Sequence, residues 1–132
     1  MKVVLVVGCL DPLHFGHLCH FRLAKKLGDS LVVAVTRNEF VNKGPGRPVF
    51  SIEQRIEMVA ALSIVDGVVE ADGSLDALQV IKPSVFALGR EYEGRVDPSD
   101  AAYCAEHGIE IAFTDGPVFS STKLLNDLAR RG

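Results

Sequence analysis

Tryptophan is absent from this sequence of 132 residues, and cysteine occurs only three times. The cysteines, Cys9, Cys19 and Cys104, are odd in number and never form a C-x-x-C pair. We therefore expect neither a disulfide framework nor a cysteine-based zinc site. Free cysteines of this kind are typical of a reducing environment, so the sequence predicts a cytoplasmic protein.

A strong charge of either sign and a long apolar run are missing as well. The 14 basic and 17 acidic residues give a formal net charge of −3, which offers no broad electrostatic footprint for DNA or RNA. No apolar run approaches the roughly 20 residues that span a bilayer. Nucleic acid and membrane are therefore not expected as partners. The hydrophobic fraction of 48% suits a packed core, and the length predicts one domain over residues 1–132.

Short apolar runs alternate with segments of helical periodicity. The runs at 3–7 and 31–35 are typical of strands buried on both faces of a parallel sheet. Further strands are expected at 65–69, 85–88 and 109–113. Helices are expected at 16–27, 51 to about 63, 74–81, 97 or 99 to 107, and 120 or 121 to 129. Gly28 and Gly108 are placed to stop helices, and Ser51 with Gln54 predicts a capping box.

This alternation predicts an α/β fold, a doubly wound sheet of five parallel strands with helices on both faces. Ligands of such folds bind beyond the carboxyl ends of the strands. The segments expected there are 8–17, 37–48, 89–95 and 114–122, which hold most of the polar and glycine-rich residues. Residues 42–48, with the sequence NKGPGRP, contain two glycines and two prolines and must form a loop.

The sharpest motif is His14-Phe15-Gly16-His17, between the first strand and the first helix. A helix N-terminus offers unpaired N–H groups and attracts phosphate, and Gly16 lets a ligand approach the backbone. Two imidazoles there can donate hydrogen bonds to triphosphate oxygens. A His-x-x-His pair is by itself equally typical of two histidines that cap a helix, and only its position favours a phosphate site.

His20 extends the histidines to a series with a spacing of three. Zinc sites on helices usually use a spacing of four or a distant third ligand, so we expect no protein metal site and place His20 on the helix surface. His107 is expected to be a helix C-terminal residue without a functional role.

Four ordered segments resemble one known family. Residues 8–17, GCLDPLHFGH, resemble the G-[TS]-F-D-x-x-H-x-G-H opening of the cytidylyltransferase-like nucleotidyltransferases. Residues 43–48 (KGPGRP) and 53–55 (EQR) match the middle of that family, and 120–123 (SSTK) is similar to its S-[ST]-T-x-[IL] motif. The resemblance implies a Rossmann-like domain of the HUP type. It also implies transfer of a nucleoside monophosphate from an NTP to a phosphorylated acceptor, with release of pyrophosphate.

Within the family, the sequence is most similar to the adenylyltransferase domain of ADP-heptose synthase and to glycerol-3-phosphate cytidylyltransferase. The loop at 43–48 favours the former, whereas residues 89–94, GREYEG, lie between the two. Residues 115–118, DGPV, replace the R-T-E-G of the glycerol enzyme, and Leu124-Leu125 replaces an arginine of the pantetheine-phosphate and nicotinamide mononucleotide enzymes. ATP or CTP, and a sugar or polyol phosphate, remain open as substrates.

The resemblance also assigns roles to residues. His14 and His17 would bind the β- and γ-phosphates, and Lys43 would close over the triphosphate, so these three are the predicted catalytic residues. Mg²⁺ is expected with the NTP, and a second copy of the chain is expected in a homodimer. The predicted nucleotide-binding positions are Gly8, Cys9, Leu10, Gly16, Arg55, Gly89, Arg90, Glu91, Ser120, Ser121 and Thr122.

Several alternatives accompany these assignments. Lys43 can equally be a solvated loop residue, Arg55 a solvent-facing or Glu-paired one, and the hydroxyls at 120–122 mere helix caps. Arg47 is a second candidate for a phosphate, while Asp11 is expected to shape its loop. A nucleotide-binding module without turnover is the main rival function, because Cys9 and Leu10 depart from the family's Thr/Ser and Phe. A flavodoxin-like carrier would need a Ser/Thr-rich loop that residues 11–14 lack.

Overall fold

The predicted sheet of five parallel strands is confirmed. The computed structural model describes residues 1–116 and 121–131. Its strands lie in the order β3-β2-β1-β4-β5, and every neighbouring pair is parallel. The strands are β1 (Val3–Gly8), β2 (Ser30–Thr36), β3 (Gly67–Ala71), β4 (Val85–Gly89) and β5 (Glu110–Thr114).

Helices cover both faces of this sheet, as the alternation predicts. They are α1 (Phe15–Lys25), α2 (Ile52–Ala60), α3 (Ser74–Ile81), α4 (Pro98–His107) and α5 (Ser121–Arg131). None of the helices in the described ranges is both long and apolar enough to cross a bilayer. The predicted capping box of Ser51 and Gln54 begins α2.

Successive residues of β1 face opposite layers of the core, because side chains alternate along a strand. Val4 and Val6 pack with Phe21 of α1 and Val59 of α2. Leu5 packs on the other side with residues of α3 and α4, including Leu78 and Cys104. The α1–α2 layer and the α3–α4 layer therefore lie on opposite faces of the sheet.

Successive strands are added to the sheet in opposite directions on the two sides of the β1–β4 pair. From β1 it passes to β2 and β3, whereas β4 is followed by β5 on the other side. Six residue pairs align β1 with β2, but only Val4–Val85 and Leu5–Phe86 align β1 with β4. The carboxyl halves of β1 and β4 thus have no aligned pair within the described residues. This is the topological switch point at which open α/β sheets bind ligands.

Three element boundaries differ from those predicted from the hydrophobic periodicity of the sequence, because periodicity carries no information on individual hydrogen bonds. The helix α1 ends at Lys25 rather than at residue 27, so Gly28 is not its stop. The strand β3 begins at Gly67 rather than 65, because Asp66 turns the chain: its N–H donates to the Leu31 carbonyl and its carboxylate accepts from the Leu31 N–H at 2.7 Å. The helix α2 stops at Ala60, three residues short of the prediction.

Gly28 is needed for close packing, and Gly28→Ala tests this. The Lys2 carbonyl accepts hydrogen bonds from the N–H groups of Asp29 and Ser30. A Cβ on Gly28 would lie 2.7 Å from that oxygen and 2.8 Å from Val4 Cγ2. We expect Gly28→Ala to cost about 1–3 kcal/mol of unfolding free energy in urea titrations.

Gly67→Ala is the matched control, because its Cβ would meet nothing nearer than Val32 Cγ2 at 3.8 Å. It should be neutral or stabilise by about 0.4–1 kcal/mol through the unfolded chain. Equal urea midpoints for the two variants would show that Gly28 is not constrained by packing.

Candidate active site

A cavity of about 790 Å³ opens at the carboxyl edge of the sheet, where β1 and β4 part. Its volume lies within the range of about 300–1,000 Å³ that is usual for ligand sites. The ends of both strands line it, with the start of α1 on one helical layer and the starts of α3 and α4 on the other. The cavity therefore connects the two layers across the edge of the sheet.

The first turn of α1 is closed by a capping box made of two histidines. The Nδ1 atom of His14, the N-cap, accepts from the Gly16 N–H at 3.1 Å. The Nδ1 atom of His17 accepts from the His14 N–H at 3.1 Å. A neutral imidazole that accepts at Nδ1 carries its proton at Nε2. The fold thus selects one tautomer for both rings and makes each Nε2–H a donor.

Burial keeps the two rings neutral. The pKa of His17 is lowered to about 3 by burial, with smaller contributions from His14, His20 and Lys43. Burial, followed by the nearby Lys43 ammonium, also lowers the pKa of His14. The two rings stack with their centroids 3.9 Å apart, and both line the cavity. At neutral pH they act as a pair of hydrogen-bond donors rather than as cations.

The α1 end of the cavity has the character of an anion site. Lys43 lines this end from the loop after β2, close enough to influence both histidines. The first turn of α1 contains no acidic residue, so nothing there offsets the positive end of the helix dipole. Amide N–H groups, imidazole donors and an ammonium group are together suited to a polyphosphate.

A buried carboxylate joins the loop after β1 to the segment before α2. Asp11 is fully buried and accepts from the N–H groups of Val49 and Phe50 at 2.7 and 2.8 Å, and from Arg47 Nε at 2.9 Å. Burial alone would raise the pKa of Asp11, but these hydrogen bonds outweigh it and the pKa is lowered. Asp11 therefore shapes its loop, as expected from the sequence.

Arg47 belongs to the same anchor. Its side chain is 7% exposed, and besides Asp11 it donates to Thr122 Oγ1 at 3.1 Å. Arg47 thus connects the loop before α2 with the first turn of α5.

Arg55 lies beneath the cavity rather than in it. Its side chain is fully buried and donates to the carbonyls of Phe50, Cys9 and Thr36 at 3.0, 2.7 and 2.7 Å. A fourth bond, of 2.8 Å, reaches Asn38 Oδ1. The arrangement matches neither a direct nucleotide contact nor a solvent-facing role, and it makes Arg55 the support of the backbone at Cys9.

The structure brings most of the other predicted residues together. Leu10 also lines the cavity. Its backbone is left-handed, with φ of 54°, and its side chain is buried in the core. The side chain of Ser121, the first residue of α5, and the whole of Ser120 lie outside the described residues. The predicted residues that line the cavity are Gly8, Cys9, Leu10, His14, Gly16, His17, Lys43, Gly89, Arg90 and Glu91.

His20 is a cavity residue that sequence reasoning missed, and the expectation that it lies on the helix surface is wrong. Its ring lines the cavity, and its Nδ1 lies 2.6 Å from Thr114 Oγ1 at the end of β5. Burial lowers its pKa, against the influence of Glu91. Its spacing of three from His17 places both on one helix face, which is the signal that could have identified it.

The opposite wall contains three more residues that belong to no motif recognised in the sequence. Ser74 begins α3, Asp97 is the N-cap of α4, and Asp100 lies in the first turn of α4. All three line the cavity, and Asp97 and Asp100 make this wall acidic, although Arg90 and Arg95 line the cavity as well.

The fold and the cavity define an α/β domain that has a histidine-capped anion site at the switch point of its sheet. The family model that matches is described as cytidylyltransferase-like and covers residues 5–104. The chain belongs to this family.

Relatives of two kinds are similar to the chain. The bifunctional protein HldE of Campylobacter fetus is 40% identical over 130 residues, which are 96% of this chain and 28% of that protein. This chain thus spans little more than a quarter of that relative. The FAD synthase of Methanocorpusculum labreanum is 34% identical over 138 residues, covering 99% of this chain and 98% of that protein.

A solved structure shares the fold. The lipopolysaccharide core biosynthesis protein of Thermoplasma volcanium superposes with a TM-score of 0.75 and is 27% identical. The match covers 89% of this chain and 99% of that one.

The role of Arg55 is tested by Arg55→Lys. A lysine cannot replace four directed hydrogen bonds, and buried carbonyls left without a donor cost about 1–3 kcal/mol each. We expect the unfolding free energy in urea to fall by about 2–4 kcal/mol. An unchanged urea midpoint combined with a raised KM for the NTP would instead show a direct nucleotide contact.

The neutral His17 predicts a pH-dependent stability. In the unfolded chain His17 takes up a proton below about pH 6.5, whereas the folded protein resists protonation down to about pH 3. The unfolded state therefore binds more protons in this pH window. As the pH decreases, the free energy of unfolding decreases by up to about 1.4 kcal/mol per pH unit. Urea titrations between pH 7 and pH 5 measure this slope.

His17→Gln is the control for this slope, because glutamine at the same position keeps the capping box without a titrating ring. The variant should lose less stability than the wild type as the pH falls. Identical slopes would mean that His17 titrates in the folded protein as it does in the unfolded chain.

Proposed function

We propose that the protein transfers AMP, or else CMP, from an NTP to a phosphorylated sugar or polyol and releases pyrophosphate. Adenylyl transfer to a heptose 1-phosphate type of acceptor is the favoured version. The observation that carries the proposal is the pair of Nε2–H donors at the amide-rich start of α1, inside the cavity at the switch point.

The α1 end of the cavity suits the β- and γ-phosphates. His14 and His17 would donate to their oxygens and to the bridging oxygen, and Lys43 would supply the positive charge. The hydroxyls of Ser120, Ser121 and Thr122 are proposed to add donors from the start of α5. Gly89, Arg90 and Glu91, which line the cavity after β4, would frame the base and the ribose.

Magnesium is proposed to enter with the triphosphate as its counter-ion. Imidazole and ammonium groups at the α1 end are not ligands that Mg²⁺ prefers. Among residues 1–116 and 121–131, no group of three or more His, Cys, Asp or Glu side chains could hold a metal ion. Phosphate oxygens and water would therefore hold the ion, which would neutralise charge on the triphosphate.

The reaction needs orientation and charge stabilisation more than a base. The acceptor phosphate is largely dianionic at neutral pH, because its second pKa is about 6. One of its oxygens would form a bond to the α-phosphorus while the bond from the α-phosphorus to the bridging oxygen breaks. Negative charge then accumulates on pyrophosphate, where the preorganised donors of His14 and His17 would stabilise it.

The relatives favour ATP over CTP as the donor. FAD contains an AMP unit joined through a pyrophosphate linkage, so a FAD synthase joins AMP to a flavin phosphate. That relative matches this chain over nearly its whole length, which makes a flavin phosphate the second candidate acceptor. The HldE relatives match at higher identity, and the resemblance of residues 43–48 to the adenylyltransferase domain of ADP-heptose synthase favours the sugar phosphate.

The proposal is tested by pyrophosphate release with each of the four NTPs against sugar, polyol and flavin phosphates. His17→Ala should lower kcat by about 10²–10³, the usual cost of removing one donor to a developing oxyanion. His107→Ala is the matched control, because its ring stacks on Tyr103 and does not line the cavity. It should leave kcat within about two-fold.

If His17→Ala leaves kcat nearly unchanged, the His17 ring has no role in the mechanism. Absence of pyrophosphate release across the whole panel would favour a nucleotide-binding module without turnover.

A further inference from the structure

The acidic wall of the cavity is not used by the proposed reaction. Ser74 donates to Asp100 Oδ2 at 2.5 Å, from the first residue of α3 to the first turn of α4. Asp100 is only 5% exposed, yet it lines the cavity together with Ser74. The two residues form a buried carboxylate–hydroxyl pair at the wall that faces away from α1.

Neither a lysine nor an arginine pairs with Asp100 in the part of the chain that the structure describes. Burial raises the pKa of Asp100, and the neighbouring Asp97 raises it further. Burying a carboxylate without a cation is unfavourable for folding. The Ser74 hydroxyl and the N-terminal end of α4 offset part of this cost, and the exposure of the pair to the cavity makes it available to a ligand.

The chemistry of this wall selects the kind of group that it can bind. The Asp100 carboxylate repels a phosphate, and Arg95, which also lines the cavity, does not pair with it. The part of the wall beside Ser74 and Asp100 therefore does not suit the triphosphate or the acceptor phosphate. Carboxylate oxygens accept hydrogen bonds, and the Ser74 hydroxyl can both donate and accept. These are the groups that bind the hydroxyls of a sugar or polyol.

The direction of attack brings such hydroxyls to this wall. Pyrophosphate would leave toward His14 and His17 in the α1–α2 layer, and in-line displacement brings the acceptor from the opposite side. Ser74 and Asp100 belong to the α3–α4 layer, across the gap between β1 and β4. We therefore propose that the Ser74–Asp100 pair binds hydroxyl groups of the acceptor and determines its specificity, an inference that rests on the proposed function.

Asp100→Asn and Ser74→Ala test this assignment. Asparagine can still accept from Ser74, so the pair survives while the charge is lost. With saturating ATP, the KM for mannose 1-phosphate, glucose 1-phosphate or glycerol 3-phosphate, whichever the wild type uses best, should rise about ten- to a hundred-fold. The KM for ATP should change by less than about two-fold. Glu106→Gln, an exposed position of α4, is the matched control and should change neither.

Two further measurements separate binding from a structural role. Methyl phosphate carries no hydroxyl, so the wild type and Asp100→Asn should use or bind it equally poorly. The Tm of Asp100→Asn should be unchanged or higher, because a buried charge has been removed. An acceptor KM that neither variant alters, or a parallel rise for methyl phosphate, would overturn the assignment while the wild-type turnover still supports the proposed function.

If the wild type transfers nothing to any acceptor, the proposed function fails, and calorimetry decides the subsite on its own. The same three acceptors are titrated in the presence of α,β-methylene ATP. Binding of at least one to the wild type, weakened at least ten-fold in Asp100→Asn, would support the subsite. Equal binding to both proteins, or no binding to the wild type, would overturn it.

Discussion

Two imidazole rings close the first turn of α1, and this closure joins the fold to the chemistry. A helix start is usually closed by Ser or Thr with Glu or Gln three residues later, but a glutamate there would repel a triphosphate. Histidine at both positions accepts the backbone N–H groups through Nδ1 and leaves Nε2–H as a donor. Burial keeps both rings neutral. The capping interaction therefore fixes the helix start and the tautomer, while burial fixes the protonation state.

The position of that helix start depends on two buried charges. Arg55 holds the carbonyls of Cys9 and Thr36, at the ends of β1 and β2, and Asp11 holds the N–H groups of Val49 and Phe50. The loop after β1 and the segment before α2 therefore behave as one unit. Lys43 lies on the same connection between β2 and α2 and lines the cavity beside the histidines.

The features predictable from the sequence are those encoded locally. Strand runs, helix periodicity and the Ser51–Gln54 capping box depend on residues a few positions apart, and all three appear in the structure. The support that Arg55 gives to Cys9 joins residues 46 positions apart, and Ser74 and Asp100 are 26 apart on different helices. Such contacts depend on the layers between them, so composition and spacing do not report them. His20 was predictable from its helix face.

The polarity of the cavity follows from this division into layers. The α1 side offers amides, imidazole donors and Lys43, whereas α3 and α4 offer carboxylates and a hydroxyl, and Arg90 and Arg95 line the cavity after β4. A small molecule with a phosphate at one end and hydroxyls at the other is consequently favoured in one orientation only, with its phosphate toward the middle of the cavity. The same gradient opposes a second triphosphate at the acidic wall. The separation of β1 from β4 therefore does more than form a cavity. It places two helical layers with different polar groups on opposite sides of one binding space.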